Sequence, residues 1–263
     1  MKLSIIILNH NSAKLVKNLV ASLVAMELPW PYEIILVDNG GDGLLAKEIK
    51  GYSIHIKLYE IENNGYAHGN NYGIRKAIGE YILILNPDIY IKAEAITKLV
   101  DFIEANESIG MVGPKLLNAD GSYQNSCTTY PDWHLPFYRR TRLGKTDKGQ
   151  VWLNKYLYLD YDHNTPKEVD ALFGACWIIR HKAIDEVGLL DERYFLYFED
   201  LDWCRQFKNK NWRVWYYPLA EIVHFHHRDS ADKKGIAGTL TKLGRVHLIS
   251  WLRYLWKWRK LRK

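Results

Sequence analysis

Three groups of residues in this 263-residue chain are of types that carry chemistry. Asp88 closes the tetrapeptide Leu85-Asn86-Pro87-Asp88 after an apolar run. The proline fixes the turn, so the carboxylate should project from a strand end, where a divalent cation bound to a diphosphate would find a hard oxygen ligand. A turn aspartate with no further role accounts for the same four residues. Glu199, Asp200 and Asp202 place three carboxylates at the start of a predicted helix, behind the aromatic run Tyr194-Phe195-Leu196-Tyr197-Phe198. Capping explains one or two of them. Three beside Tyr197 and Phe198 point further, to carboxyls whose pKa is raised toward the range of a general base. His224-Phe225-His226-His227 ends a predicted strand, and alternation puts His224 and His226 on one face, each a candidate nitrogen ligand to complete a metal site with Asp88. A cation for a leaving pyrophosphate and a base for an attacking hydroxyl are what transfer from a nucleoside diphosphate requires.

The elements that must position these residues follow from the apolar pattern. Residues 3–8 read as a buried strand, and Ser12 as the cap of a helix with Leu15, Leu19 and Leu23 on its apolar face. A second strand spans 34–37. Alternation across Ile54, Ile56, Leu58 and Ile61 gives a third, followed by a turn at Asn63-Asn64-Gly65 and a helix to about Ile78; residues 81–85 form a fourth. Strands alternating with helices predict an α/β fold whose mixed, mainly parallel sheet is flanked by helices and binds ligands at the carboxyl ends of its strands. Asn9, Asp38, Asn63 with Asn64, and Asn86 with Asp88 stand at four successive ends of that kind. Turn formation explains any one of them, but less readily all four. Residues 123–168 lose periodicity yet keep Trp, Tyr and Leu, as an insertion or lid does. A strand over 175–179, a helix over 182–187, a helix carrying Trp203, Cys204 and Phe207, and short strands at 215–217 and 222–223 complete the body.

A hydrophobic content of 48% with 13% aromatics fills a sizeable core. The apolar run at 3–8 is broken by Asn9, His10 and Asn11, too short for a membrane span or signal peptide, so the catalytic part is expected in the cytoplasm. Cys127, Cys176 and Cys204 are odd in number without Cys-x-x-Cys spacing, which argues against a disulfide framework or a zinc site. Of the net charge of +6, Arg245, Arg253, Lys257, Arg259, Lys260, Arg262 and Lys263 supply seven positive charges; the remainder holds 29 Lys+Arg against 30 Asp+Glu. The basic excess belongs to the tail, and nucleic acid is not an expected partner. On a helical wheel Arg253, Lys257 and Lys260 share one face and Leu248, Trp251, Leu252 and Leu255 the other, flanked by Trp256 and Trp258. That pattern suits a helix lying on an anionic membrane surface; a helix packed on its own domain is the alternative.

Several segments also resemble glycosyltransferase family 2, particularly its bacterial rhamnosyltransferase-like branch: residues 4–11 (SIIILNHN), 37–39 (VDN), 63–74 (NNGYAHGNNYGI), 85–88 (LNPD), 174–180 (GACWIIR) and 198–202 (FEDLD). The resemblance spans about residues 1–230 and implies a GT-A fold, inverting chemistry, and a nucleotide-sugar donor, dTDP- or UDP-linked, bound with Mn2+ or Mg2+. By it, Asp38 would face the nucleobase, with Asn9, Asn64, Gly65, Asn70 and Asn86 around the nucleotide. Asp88 would be the last acid of the metal motif, Asp200 the base beside Glu199 and Asp202, and His224 the late metal ligand. Asn86 stands where the family usually has a first Asp, which leaves the metal fewer charges. Residues 1–115 would form the donor half and 116–240 the acceptor and catalytic half, with 241–263 a membrane-associating tail. The expected acceptor is a lipid-linked saccharide or growing surface glycan at the inner face of the cell membrane, and the sugar one such as rhamnose. Two other classes compete. A nucleotidyltransferase would show a Gly-rich, Lys-containing phosphate loop after the first strand, which Asn9-His10-Asn11-Ser12 lacks. A non-catalytic nucleotide-sugar-binding protein would have no need of the acids at 199–202.

Overall fold

The computed structural model describes residues 1–52, 55–225 and 241–259. Its first half repeats strand and helix: β1 (Leu3–Asn9), α1 (Ala13–Val24), β2 (Tyr32–Asp38), α2 (Leu44–Glu48), β3 (Ile56–Glu60), α3 (Tyr66–Lys76) and β4 (Tyr81–Leu85). These four strands pair in parallel in the order β3-β2-β1-β4. β1 and β4 are buried along their whole length, as strands covered on both faces must be, which is why they read as unbroken apolar runs.

The second half supplies β5 (Ile89–Tyr90), α4 (Ala93–Glu104), β6 (Ile109–Leu117), β7 (Tyr123–Gln124), β8 (Cys127–Thr128), α5 (Leu135–Arg140), a 3-10 turn at Arg142–Lys145 and α6 (Asp147–Leu157). After these come β9 (Lys167–Glu168), β10 (Ala171–Leu172), β11 (Cys176–Arg180), α7 (His181–Val187), α8 (Glu199–Asn209), β12 (Arg213–His224) and α9 (Lys242–Lys257). The sheet continues past β4 as β11-β6-β12-β5. β11 runs antiparallel to both β4 and β6, whereas β6 and β12 are parallel, so the sheet is mixed as expected. Alternate residues feed two cores. Ile6, Leu8, Ile35, Val37, Ile82 and Ile84 face one side, and Ile5, Ile7, Ile34, Leu36, Leu83 and Leu85 the other.

Local expectations changed where tertiary packing intervened. Leu15 is 46% exposed; the buried stripe of α1 is Ala13, Val16, Leu19, Val20 and Leu23. Ser12 makes no side-chain cap, because its hydroxyl and N–H both donate to Asn9 Oδ1. α3 stops at Lys76, Ala77 is extended, and the N–H of Ile78 turns to Ser4 Oγ and Glu33 Oε1. Ile54, expected in the third strand, lies outside the described residues. Two short strands near the end are one strand, β12, whose register against β6 shifts between Tyr217 and Glu221. That irregularity adjoins Pro114, which lacks a ladder N–H and, inside β6, masks a strand in the sequence pattern. All three cysteines are free and buried.

The tail departs furthest from its expectation. α9 packs on the domain, with Ser250, Tyr254 and, just beyond it, Trp258 buried, and Trp251 and Leu255 set against the core. Lys257, expected on the basic face of a membrane-surface helix, pairs with Asp191 and Asp202 at 2.8 and 2.7 Å.

Candidate active site

The polar strand ends form one hydrogen-bonded rim. Asn9 Nδ2 donates to Asp38 Oδ1 at 2.8 Å, His10 Nδ1 lies 3.2 Å from Asn39 Oδ1, and Asn39 Nδ2 donates to Asn63 Oδ1. Asn63 Oδ1 also accepts the N–H of Gly65. Asn9 is fully buried, where it holds Asp38 and the start of α1. Asp38 Oδ2 is buried without a hydrogen-bond partner among the described residues, a costly state that a donor N–H from a ligand would relieve. Asn64 is exposed in the turn.

Gly65 brings two segments into contact. Its φ is +100°, and a Cβ there would lie 2.3 Å from the Phe195 carbonyl oxygen, which accepts the next N–H, that of Tyr66. Only glycine combines that dihedral with that approach. Asn70 is buried inside α3 and its Nδ2 donates to the Tyr66 carbonyl, which supports Tyr66.

Tyr66, to which the sequence pattern assigned no role, stands at the centre. Its hydroxyl donates to Gly174 O at 2.6 Å and lies 3.2 Å from Asn86 Oδ1. The N–H of Gly174 donates to Asp200 Oδ2 at 3.3 Å, and the next carbonyl, Ala175 O, accepts from Asn86 N. The peptide segment leading into β11 thus ties α3, the end of β4 and the start of α8 together. Burial, with the Asp200 and Asp88 charges adding, raises the Tyr66 phenol well above its ordinary value, so it stays a donor. Asn86 is engaged by this tyrosine through its side-chain oxygen.

Glu199 and Asp200 open α8 behind Tyr197 and Phe198, both in the left-handed region at φ 70° and 71°. Two such residues cost of order 1–3 kcal/mol each and persist because Phe198, 3% exposed, is anchored in the core. Burial pushes Asp200 up to about 6 against the hydrogen bonds from Leu201 N and Gly174 N. Burial first, then the Asp200 charge, raises Glu199 well above its ordinary value, so Glu199 holds the proton. Asp202 points elsewhere. It accepts from Lys257 Nζ, Trp258 Nε1, Gln206 Nε2 and the Tyr194 hydroxyl, an arrangement that fastens the C-terminal segment to α8. Expected beside Glu199 and Asp200 as a catalytic acid, Asp202 has its oxygens engaged by these four donors.

The structure brings Asp88 and His224 together. β5 and β12 pair at Ile89 and His224, the Phe225 N–H donates to Asp88 O, and His224 Nε2 lies 3.4 Å from Asp88 Oδ1. On the far side of the ring, Nδ1 lies 2.8 Å from Gln124 Oε1. Gln124 Nε2 donates to Asn118 Oδ1, and Asn118 Nδ2 donates to Ser122 Oγ, so the amide orientations leave Gln124 Oε1 to accept from Nδ1 and turn Nε2 toward Asp88. An imidazole nitrogen beside a carboxylate oxygen is a pair of ligand types suited to a divalent cation, with the ring orientation fixed from behind. No group of three or more His, Cys, Asp or Glu able to hold a metal occurs among the described residues, so two protein ligands fit the group only if its other ligands come from substrate or water. His226, the rival ligand, lies outside the described residues.

The model of glycosyl transferase family 2 matches residues 4–188, well over half the chain. The chain belongs to glycosyltransferase family 2. Among curated relatives, this family 2 chain is 28% identical over 229 residues to the low-salt glycan biosynthesis hexosyltransferase Agl10 of Haloferax volcanii, covering 84% of the chain and 66% of the relative. It is 27% identical over 208 residues to the N-acetylglucosaminyl-diphospho-decaprenol L-rhamnosyltransferase of Mycobacterium tuberculosis, covering 74% and 66%. With rhamnosyltransferase WbbL of Escherichia coli it shares 26% identity over 262 residues, 95% of this chain and 91% of that one. The chain thus spans slightly under two thirds of the first two relatives. Solved structures agree on a GT-A fold. GalNAc-T7 with UDP, GalNAc and Mn2+ superposes with a TM-score of 0.67 at 17% identity, over 97% of this chain and 47% of that one. The mannosyltransferase PcManGT of Pyrobaculum calidifontis with GDP-Man and Mn2+ gives 0.59 at 16%, over 87% and 58%.

Proposed function

We propose that this chain is an inverting glycosyltransferase that moves a sugar such as rhamnose from a nucleoside diphosphate to a hydroxyl of a lipid-linked saccharide. The observation that carries the reading is the pairing of a proton-poised carboxyl, Asp200, with the Asp88–His224 donor set on either side of Tyr66. Asp38, presented by Asn9, receives the nucleobase, and the turn at Asn64 and Gly65 borders the nucleotide. Asp88 and His224 would hold Mn2+ or Mg2+, which when bound supplies counter-charge to the leaving diphosphate. Asp200 takes the proton of the acceptor hydroxyl, whose oxygen bonds to the anomeric carbon as the diphosphate departs from the opposite face. Glu199, already protonated, keeps a second negative charge away from the base.

A cytoplasmic-face, peripheral attachment accompanies this reading. Leu248, Ile249, Leu252 and Trp256 are exposed along one face of α9 among Arg245, Arg253 and Arg259. That outward face, not the wheel expected from sequence, fits an anionic lipid surface. No described helix is long and apolar enough to cross a membrane.

The test is a panel of nucleotide-sugars with Mn2+, read as nucleoside diphosphate release and sugar transfer. No turnover with any donor would refute the transferase reading. For the membrane face, co-sedimentation with phosphatidylglycerol vesicles should fall at least tenfold when Leu248, Ile249, Leu252 and Trp256 become Ser, and unchanged binding would reject it.

A further inference from the structure

α5 and α9 leave a shallow groove between them, open to solvent and lined by Leu135, Pro136, Arg140, His247, Leu248 and Trp251. One end is cationic. Arg139 and Arg140 close α5 and Arg142 follows in the 3-10 turn, and none of the three makes a salt bridge among the described residues. A helix C-terminus favours a cation, but three in four residues without an acid to balance them exceed that need.

The cationic end adjoins the reaction centre. His247 lies with its ring centroid 5.1 Å from those of both Tyr197 and Phe198, the residues that set Glu199 and Asp200. The charge of Arg140 is felt at His247, and Tyr156 feels both Arg139 and Asp200. Burial, with the charges of Arg140 and Arg139 adding, holds the His247 imidazole down to about 4, so it remains neutral there. The other end is apolar and runs outward: Leu248 lines the groove, is 40% exposed, and continues into the face of Ile249, Leu252 and Trp256. A free nucleotide would satisfy the arginines but leave the apolar wall bare. A hydrocarbon alone would do the reverse.

We infer that this groove holds the lipid end of the acceptor, a diphosphate on a long hydrocarbon chain, with Arg139 and Arg140 on the diphosphate and Leu135, Pro136, Leu248 and Trp251 against the first part of the chain. The inference rests on the transferase reading, to which it adds a site: a saccharide carried on that diphosphate extends toward Asp200, while the rest of the chain leaves over Leu248 toward the lipid surface.

Farnesyl diphosphate serves as the probe, titrated calorimetrically against the full chain, with inorganic pyrophosphate as the headgroup alone. Farnesyl diphosphate should bind at least tenfold more tightly than pyrophosphate. Arg139→Gln with Arg140→Gln, and separately Leu248→Asp, should each weaken it at least tenfold, with uridine diphosphate affinity in the presence of Mn2+ unchanged as a check on folding. Equal affinity in both variants would overturn the assignment, as would displacement of farnesyl diphosphate by saturating uridine diphosphate, which would put it in the donor pocket. Failure of the transferase reading has a different signature: no turnover of any nucleotide-sugar, with farnesyl diphosphate binding and its dependence on Arg139 and Arg140 intact.

Discussion

Replacing Asp200 by Asn should slow transfer severely and yet raise stability. A carboxyl at about 6 instead of 3.8 is less stable ionised inside the fold than in the unfolded chain, by up to about 3 kcal/mol at roughly 1.4 kcal/mol per tenfold change in proton affinity. The folded value lies above the unfolded one, so this carboxyl favours the fold below the ordinary carboxylate range, and that contribution is lost as pH rises through about 6. At pH 7 Asp200 is therefore a burden that Asn removes. The variant should melt higher than the parent at pH 7, by up to about 3 kcal/mol, and the gain should disappear near pH 4. Its transfer rate should fall on the order of 10²–10⁴-fold, the usual contribution of a general base. In the parent, the ionised fraction drops from about nine tenths at pH 7 to about one tenth at pH 5, so kcat/KM should fall about tenfold over that interval. Glu199→Gln is the counterpart, since Gln copies the protonated Glu199, and its rate at pH 7 should stay within about threefold of the parent. Nucleotide release with the active donor, followed from pH 5 to 8, and thermal melts at pH 4 and 7 measure all of this. A flat pH profile, an Asp200→Asn variant that melts lower at pH 7, or a Glu199→Gln variant as inactive as Asp200→Asn would each refute the assignment of base and proton holder.

Two further substitutions test the scaffold. Gly65→Ala puts a Cβ 2.3 Å from the Phe195 carbonyl at φ +100°, so it should cost of order 3 kcal/mol in a denaturant titration and reduce transfer by separating Tyr66 from the 195–200 segment. Gln124→Leu removes the partner that fixes the His224 ring; the Mn2+ concentration giving half-maximal activity should rise about 10–100-fold, with the pH dependence governed by Asp200 unchanged.

The first half of the fold was legible because its strands are buried on both faces and its turns carry Asn, Asp and Gly, so period and punctuation coincide at β1, β2 and β4. α4 and β6 drew no assignment, although Ala95, Ile96, Leu99, Val100 and Ile103 recur at helical spacing; Pro114 obscured the strand that follows. Among the site residues, the types at Asp88, Asp200 and His224 announced themselves, because a carboxylate at a strand end or an acid beside buried aromatics is unusual enough to notice. Their grouping depends on strand pairing far along the chain. Asp88 meets His224 only because β5 lies beside β12, and Gln124 reaches the ring from a two-residue strand with no sequence pattern of its own. Tyr66 looks like any tyrosine after a turn until the Gly174 peptide comes within 2.6 Å of its hydroxyl. Asp202 shows the limit from the other side. In sequence it is one of three equivalent acids, and only the docking of Lys257 and Trp258 divides it from Glu199 and Asp200. Helical spacing also fixed that the tail is amphipathic, but which face turns inward was decided by the partners it meets: Tyr254 and Trp258 find the core and a buried carboxylate, and Leu248, Ile249, Leu252 and Trp256 are left outside. Residue type and local period determine what each element can do, and contacts between residues distant in the chain determine which of those possibilities is taken.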